Sequence, residues 1–264
     1  FTLTSCSLFL LAFARSFPVV LGTCVLLGAG AMSLNATGNT LATVVLFDGQ
    51  NPAAASNLAN VFFGAGILLT PLTVSFLFRK LTYEQTLSTL GIIILLPVAA
   101  AVAAVYPKSN AAFAFSDALG LLREPALWIG GLVLFCCFSL DTTLKSWLPS
   151  IGKEVIGQAH PDREVGAIDA SAMRLLVWFA AGMMLSRFLA SNVPFITDYG
   201  AWFVSAAGID SGAIILTLIR TGRVSVVIAL AATAGFVFGL SFPTTLGVTF
   251  AKFPKEVRGS VFGI

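Results

Sequence analysis

The chain has 264 residues, 57% of them hydrophobic and only 10% charged, with a mean hydropathy of +0.94 and a formal charge of +3. A soluble domain carries about 25% charged residues, so too few polar atoms are present to cover a water-facing surface. The small net charge excludes a nucleic-acid partner, and seven apolar segments reach the roughly 20 residues that a helix needs to cross hydrocarbon.

In chain order, Phe1–Ala14 is apolar but too short to cross. The first full span is expected at Phe17–Phe47. It carries Gly28 and Gly30, which permit close helix approach. Asn35, Asn39 and Thr43 then follow at intervals of four, on one helical face. The second span, Ala55–Phe78, repeats the arrangement with Asn57, Asn60 and Gly64, then Gly66 and Pro71. Amides at membrane depth must face protein or water, because an unpaired one is costly in lipid. These four Asn residues therefore either bond across helices or line a polar cavity that binds a hydroxyl-rich solute.

A third span is expected at Leu87–Val105. Tyr106–Glu124 is then a polar-to-amphipathic connection carrying Lys108, Asp117, Arg123 and Glu124. Its Ala112, Phe115, Leu119 and Leu122 recur at helical spacing, as in a segment lying on the membrane surface. It divides the chain into 1–105, a 106–124 linker and 125–264. The fourth span, Pro125–Leu148, holds Asp141 and Lys145 four residues apart, in the favourable acid-before-base order. Ser139, Thr142, Thr143 and Trp147 surround them. Two readings stand: Lys145 reaches the headgroups from the membrane edge, or Asp141 is a protonatable contact in a solute path with Lys145 setting its charge state.

Ser150–Asp169, rich in mixed charge, is expected as an exposed loop. Spans at Ser171–Ala190, Ala201–Leu218 and Val224–Ala251 complete the series, and Gly259–Ile264 reads as a helix barely started. Arg174 and Arg187 flank the fifth span as interfacial anchors. Asp210 lies mid-span beside Gly208 and Gly212. Trp128 and Trp202 fit an aromatic belt, and Trp147 and Trp178 are candidates to stack on a sugar ring. Counting Lys and Arg in alternate loops gives five against six, so charge does not orient the chain.

Chemistry beyond binding has little support. Cys6, Cys24, Cys136 and Cys137 sit in apolar segments as small hydrophobes, and no metal site is expected. The one histidine, His160, lies in the charged loop, and no GxxxxGK[ST] or GxSxG motif occurs. The chain is read as a carrier, not an enzyme, and no cofactor is expected beyond coupling to protons or another cation.

LGAGAMSLNATGNT and NLANVFFGAGILLTP, between Leu27 and Pro71, resemble the fourth and fifth helices of major facilitator superfamily transporters, above all the fucose-permease-like sugar symporters. Asn57, Phe62, Phe63, Gly64, Gly66 and Pro71 carry the match. ALWIGGLVLFCCFSLDTTLKSWLPSIG is similar to the seventh helix, with Asp141 and Trp147 at its polar and aromatic positions. MMLSRFLAS resembles the end of the eighth, with Arg187 in its Gly-Arg position. GLSFPTTLGVTFAKFP and RGSVFGI resemble the tenth and the start of the eleventh.

The resemblance implies an all-α bundle of two pseudo-symmetric halves around a central cavity, with 106–124 as the inter-half linker. Helices one, two and twelve would be missing, and three and eleven truncated. It further implies that Gly49–Ala53 and Lys252–Arg258 face the cytoplasm. The expected function is alternating-access transport of a small polar solute, foremost a sugar, by a monomeric multi-pass protein of the bacterial inner membrane. The solute contacts would be Asn35, Asn39, Asn57, Asn60, Asp141, Lys145 and Trp147. The alternatives are a carrier of an organic anion or drug, and a membrane sensor derived from a carrier. In one place the chain departs from the family. Fucose-permease relatives have a Glu in the fourth helix tied to proton coupling, and Asn35 stands at that position. An amide takes up no proton near neutral pH, which leaves Asp141 as the candidate coupling carboxylate.

Overall fold

Hydrocarbon offers no water to satisfy backbone N–H and C=O groups, so a chain crossing it must close its hydrogen bonds internally. The computed structural model describes residues 1–106 and 119–263 and meets that condition with helices; no strand occurs among the described residues. The helices are α1 (Thr2–Phe13), α2 (Phe17–Val45), α3 (Pro52–Phe78), α4 (Tyr83–Ala103), α5 (Pro125–Ala159), α6 (Val165–Asn192), α7 (Pro194–Asp198), α8 (Gly200–Arg220), α9 (Val224–Phe250) and α10 (Arg258–Gly263). Seven of them, α2 to α6 with α8 and α9, are long and apolar enough to cross a membrane. They match the seven segments expected from hydropathy. Most of the 106–124 connection falls outside the described residues.

Ser150–Asp169 is not a loop. α5 continues past Leu148 to Ala159, α6 begins at Val165, and only His160–Glu164 joins them. The reason is amphipathic spacing. Leu148, Gly152, Val155 and Ile156 are buried along one face while Lys153 and Glu154 stay exposed. Pro149 sits inside this helix without ending it; its missing N–H frees a single carbonyl, that of Lys145. Lys153 reaches across to Asp169 at 2.8 Å. Mixed charge is the signature of a solvated helix face here, as well as of a loop.

The chain packs as two units. The first comprises Phe1–Leu41, Leu69–Ala112 and Phe262–Ile264. In it α1 lies on α4: Ser5 Oγ donates to the Gly91 carbonyl at 2.8 Å, and the bare face of Gly91 meets the Phe9 ring. α4 starts on a capping box in which Thr82 and Gln85 each bond the other's backbone.

The second unit comprises Ala42–Leu68 and Phe113–Val261. Its core is built by α5, α6, α8 and α9, with Leu148, Leu175, Phe179, Met183, Leu218 and Val227 buried together. α6 and α9 approach to backbone distance because they meet through glycine. A Cβ on Gly235 would strike the Phe179 carbonyl, and one on Gly182 the Ala232 carbonyl. Small residues at such crossings replace the hydrophobic drive that lipid removes.

α2 ends abruptly. Phe47, Asp48 and Gly49 all have positive φ, at 52°, 53° and 69°, a region that L-residues rarely enter. Lys255 Nζ donates to the Asp48 carbonyl at 3.3 Å and crowds the space where Gly49 lacks a side chain.

Candidate functional site

In α2, the four-residue spacing places Asn35 and Asn39 together. Asn39 is buried, and its Nδ2 donates to both the carbonyl and the Oδ1 of Asn35, each at 2.9 Å. Asn35 is half-buried, and Thr43, one turn on, is fully buried. No member of this face is exposed.

In α3, Asn57 is fully buried and its Nδ2 joins the Ala53 carbonyl to Thr244 Oγ1 of α9, both at 2.9 Å. Its Oδ1 is buried without a hydrogen-bond partner. Asn60 is also buried and donates to the Ser56 carbonyl. Ala53 lies directly against Gly247 of α9, where a Cβ would overlap its backbone. This half of α3 is thus held to α9 by one amide–hydroxyl bond and one glycine contact.

Arg187 was expected at the membrane interface, and the structure corrects this. It is 5% exposed within α6. Its Nε donates to the Gly239 carbonyl at 2.8 Å and its Nη1 to the Asn60 carbonyl at 2.9 Å. The first bond follows from sequence. In a helix the carbonyl of residue 239 would accept from the N–H of residue 243, and residue 243 is proline. Pro243 frees an acceptor inside α9, and the guanidinium fork fills it. Arg258 does the same at helix ends. It is buried, with Nε on the Phe250 carbonyl at 3.3 Å and Nη1 on the Thr43 carbonyl at 3.1 Å. Phe250 closes α9 and Thr43 lies in the last turn of α2, so both acceptors are among the carbonyls that a helix terminus leaves unpaired.

Asp141 and Lys145 form the ion pair that their spacing suggests, between Oδ2 and Nζ. The other carboxylate oxygen, Asp141 Oδ1, is buried and has no hydrogen-bond partner. Within the second unit, then, one carboxylate is paired with one cation and keeps one acceptor atom unclaimed. Trp147, by contrast, is 62% exposed, and neither it nor exposed Trp178 joins the buried polar cluster. Asp210 is exposed on α8. Among the described residues no group of acidic, His or Cys side chains could hold a metal.

The buried polar residues that sequence reasoning missed are Thr244, Arg187 as a buried donor, and Arg258. The usable signal for Arg187 was Pro243 itself, which announces a free carbonyl four residues earlier.

A sequence model of the Major Facilitator Superfamily matches residues 1–264. No curated protein matches the chain. Among solved structures, the fold is similar to the fucose:proton symporter FucP of E. coli, with a TM-score of 0.72 at 17% identity, over 99% of this chain and 70% of that one.

Proposed function

The chain belongs to the Major Facilitator Superfamily, and from that membership we propose that it carries a small polar solute, foremost a sugar, across the cell membrane by alternating access. Membership of this family supports a secondary transporter, and its seven long apolar helices make it a multi-pass membrane protein. The observation that carries the solute reading is Asp141: a carboxylate with one oxygen held by Lys145 and the other buried and unclaimed. A buried acceptor without a donor is unfavourable by about 1–3 kcal/mol, and a sugar hydroxyl or a proton supplies what it lacks. In the same unit, Asn57 and Asn60 of α3 add amide groups at membrane depth. The similarity to a fucose:proton symporter supports a sugar and a coupled proton in the same sense. We read 1–105 and 125–264 as the two halves of the carrier, which acts as a monomer.

The test is uptake by the full-length protein, with a panel of labelled sugars and organic anions, across pH. We expect sugar uptake that depends on pH, and an Asp141→Asn variant whose pH profile is flat while solute exchange persists, because an amide takes up no proton. Unchanged pH dependence in that variant would leave Asp141 as a structural partner of Lys145. Uptake of anions in place of sugars would overturn the sugar assignment.

A further inference from the structure

α5 and α8 begin, and α9 ends, at one end of the second unit: Pro125, Gly200 and Phe250 mark the three termini. Between them lies a cavity of about 330 Å³. Its walls are apolar, with Ile129 and Val133 from α5, Val204 from α8 and Val248 from α9. Trp128 and Trp202, 60% and 77% exposed in the first turns of α5 and α8, mark this level as the boundary between lipid and water.

Four polar side chains interrupt the apolar wall; two of them, Ser205 and Thr249, already donate to carbonyls of their own helices, those of Ala201 and Thr245. Lys252 lines the cavity just beyond the end of α9; it is exposed and makes no ion pair or side-chain hydrogen bond among the described residues. Thr245 also lines it, is 7% exposed, and has a buried Oγ1 with no hydrogen-bond partner. The last turn of α9 and the turn that follows it separate the two. From the boundary inward, the cavity thus offers an unpaired cation, then an unpaired hydroxyl amid hydrocarbon.

We propose that this cavity is a binding site for an anionic phospholipid of the adjacent leaflet. A diacyl phospholipid presents matching chemistry in the same order. Its phosphate meets Lys252, a glycerol-ester carbonyl accepts from Thr245 Oγ1, and an acyl chain lies against the valine and isoleucine wall. The charge selects the lipid class. Glu124, Asp198 and Glu256 share this end of the unit with Arg123, Lys252, Lys255 and Arg258, but among the described residues no acid pairs with Lys252, Lys255 is engaged with the Asp48 carbonyl, and Arg258 with two main-chain carbonyls. Basic pockets between membrane helices take anionic head groups by the same attraction. The site is independent of the solute path and of the sugar assignment.

Native mass spectrometry of the full-length carrier, released from bilayers containing phosphatidylglycerol and phosphatidylcholine, tests this. The wild-type protein should retain phosphatidylglycerol over phosphatidylcholine. Lys252→Gln should cut that retention at least about fivefold, as loss of one lysine–lipid attraction implies, while Lys252→Arg keeps it. Thr245→Val should weaken the ester-linked lipid and leave its ether-linked analogue unaffected, because the ether lacks the carbonyl. Ala201→Phe, which fills the cavity from α8, should displace both lipids, with monodisperse elution as the check on folding. Equal retention of the two head groups by the wild type, or undiminished phosphatidylglycerol on Lys252→Gln, overturns the proposal. An ester preference that survives Thr245→Val overturns the assignment of its hydroxyl.

Discussion

Arg187 and Arg258 show how a charged side chain is tolerated among apolar helices. Neither forms an ion pair among the described residues; each instead divides its donors between two main-chain carbonyls. Hydrogen bonds to a charged group contribute about 1.5–3 kcal/mol, so two of them offset part of the cost of burying the guanidinium. Lysine could not substitute, since its compact ammonium lacks the planar fork that reaches two fixed acceptors at once. Arg187→Lys should therefore lower the melting temperature of the detergent-solubilised protein nearly as far as Arg187→Met, at a cost of roughly 1.5–3 kcal/mol. Thermal unfolding followed by circular dichroism reads this out, and a Lys variant as stable as wild type would contradict it. The hydrophobic sequence around Arg187 carries no trace of these bonds, because their acceptors lie 52 and 127 residues away. Asn35 and Asn39 were legible for the opposite reason: their contact is local, and helical geometry alone brings residues four apart together.

At the level of elements, the crossing of α6 and α9 depends on hydrogen atoms where other residues carry carbon. A methyl group on Gly235 must displace the Phe179 carbonyl, whereas one on Gly208 or Gly212 of α8 meets open space. Overpacking of this kind costs about 1–3 kcal/mol. Gly235→Ala should accordingly destabilise the protein by that order, and Gly212→Ala should leave the melting temperature within experimental error. Equal effects would show that α6 and α9 can separate freely. The seven spans were legible because a 20-residue apolar run is a property of the sequence alone. The second half of α5 was not. Its charges face outward while Val155 and Ile156 face inward, and only the period of that pattern, not its composition, separates such a helix from a loop.

At the scale of the whole carrier, alternating access requires that some packed contacts part in each cycle. The first half of α3 meets α9 through Asn57 and Thr244, whose polar atoms stand 2.9 Å apart. If that contact parts in each cycle, cross-linking it should arrest transport. A Cys pair at Asn57 and Thr244 in the full-length protein should lose whatever solute uptake its reduced form shows on oxidation and regain it on reduction. Uptake at the wild-type rate in the oxidised pair would show that α3 and α9 move as one body. The arginine clasps add a genetic consequence. Their acceptors are backbone oxygens, which no codon change can remove. In a saturation mutagenesis screen, position 187 should therefore be intolerant, changes at position 60 limited only by what the Asn60 side chain itself does, and changes at position 239 limited by the contact of Gly239 with the Met183 backbone rather than by loss of the acceptor. Reversion of an Arg187 defect should come from a new donor reaching the Gly239 carbonyl, or from replacing Pro243 so that α9 satisfies its own carbonyl and the arginine is no longer needed there.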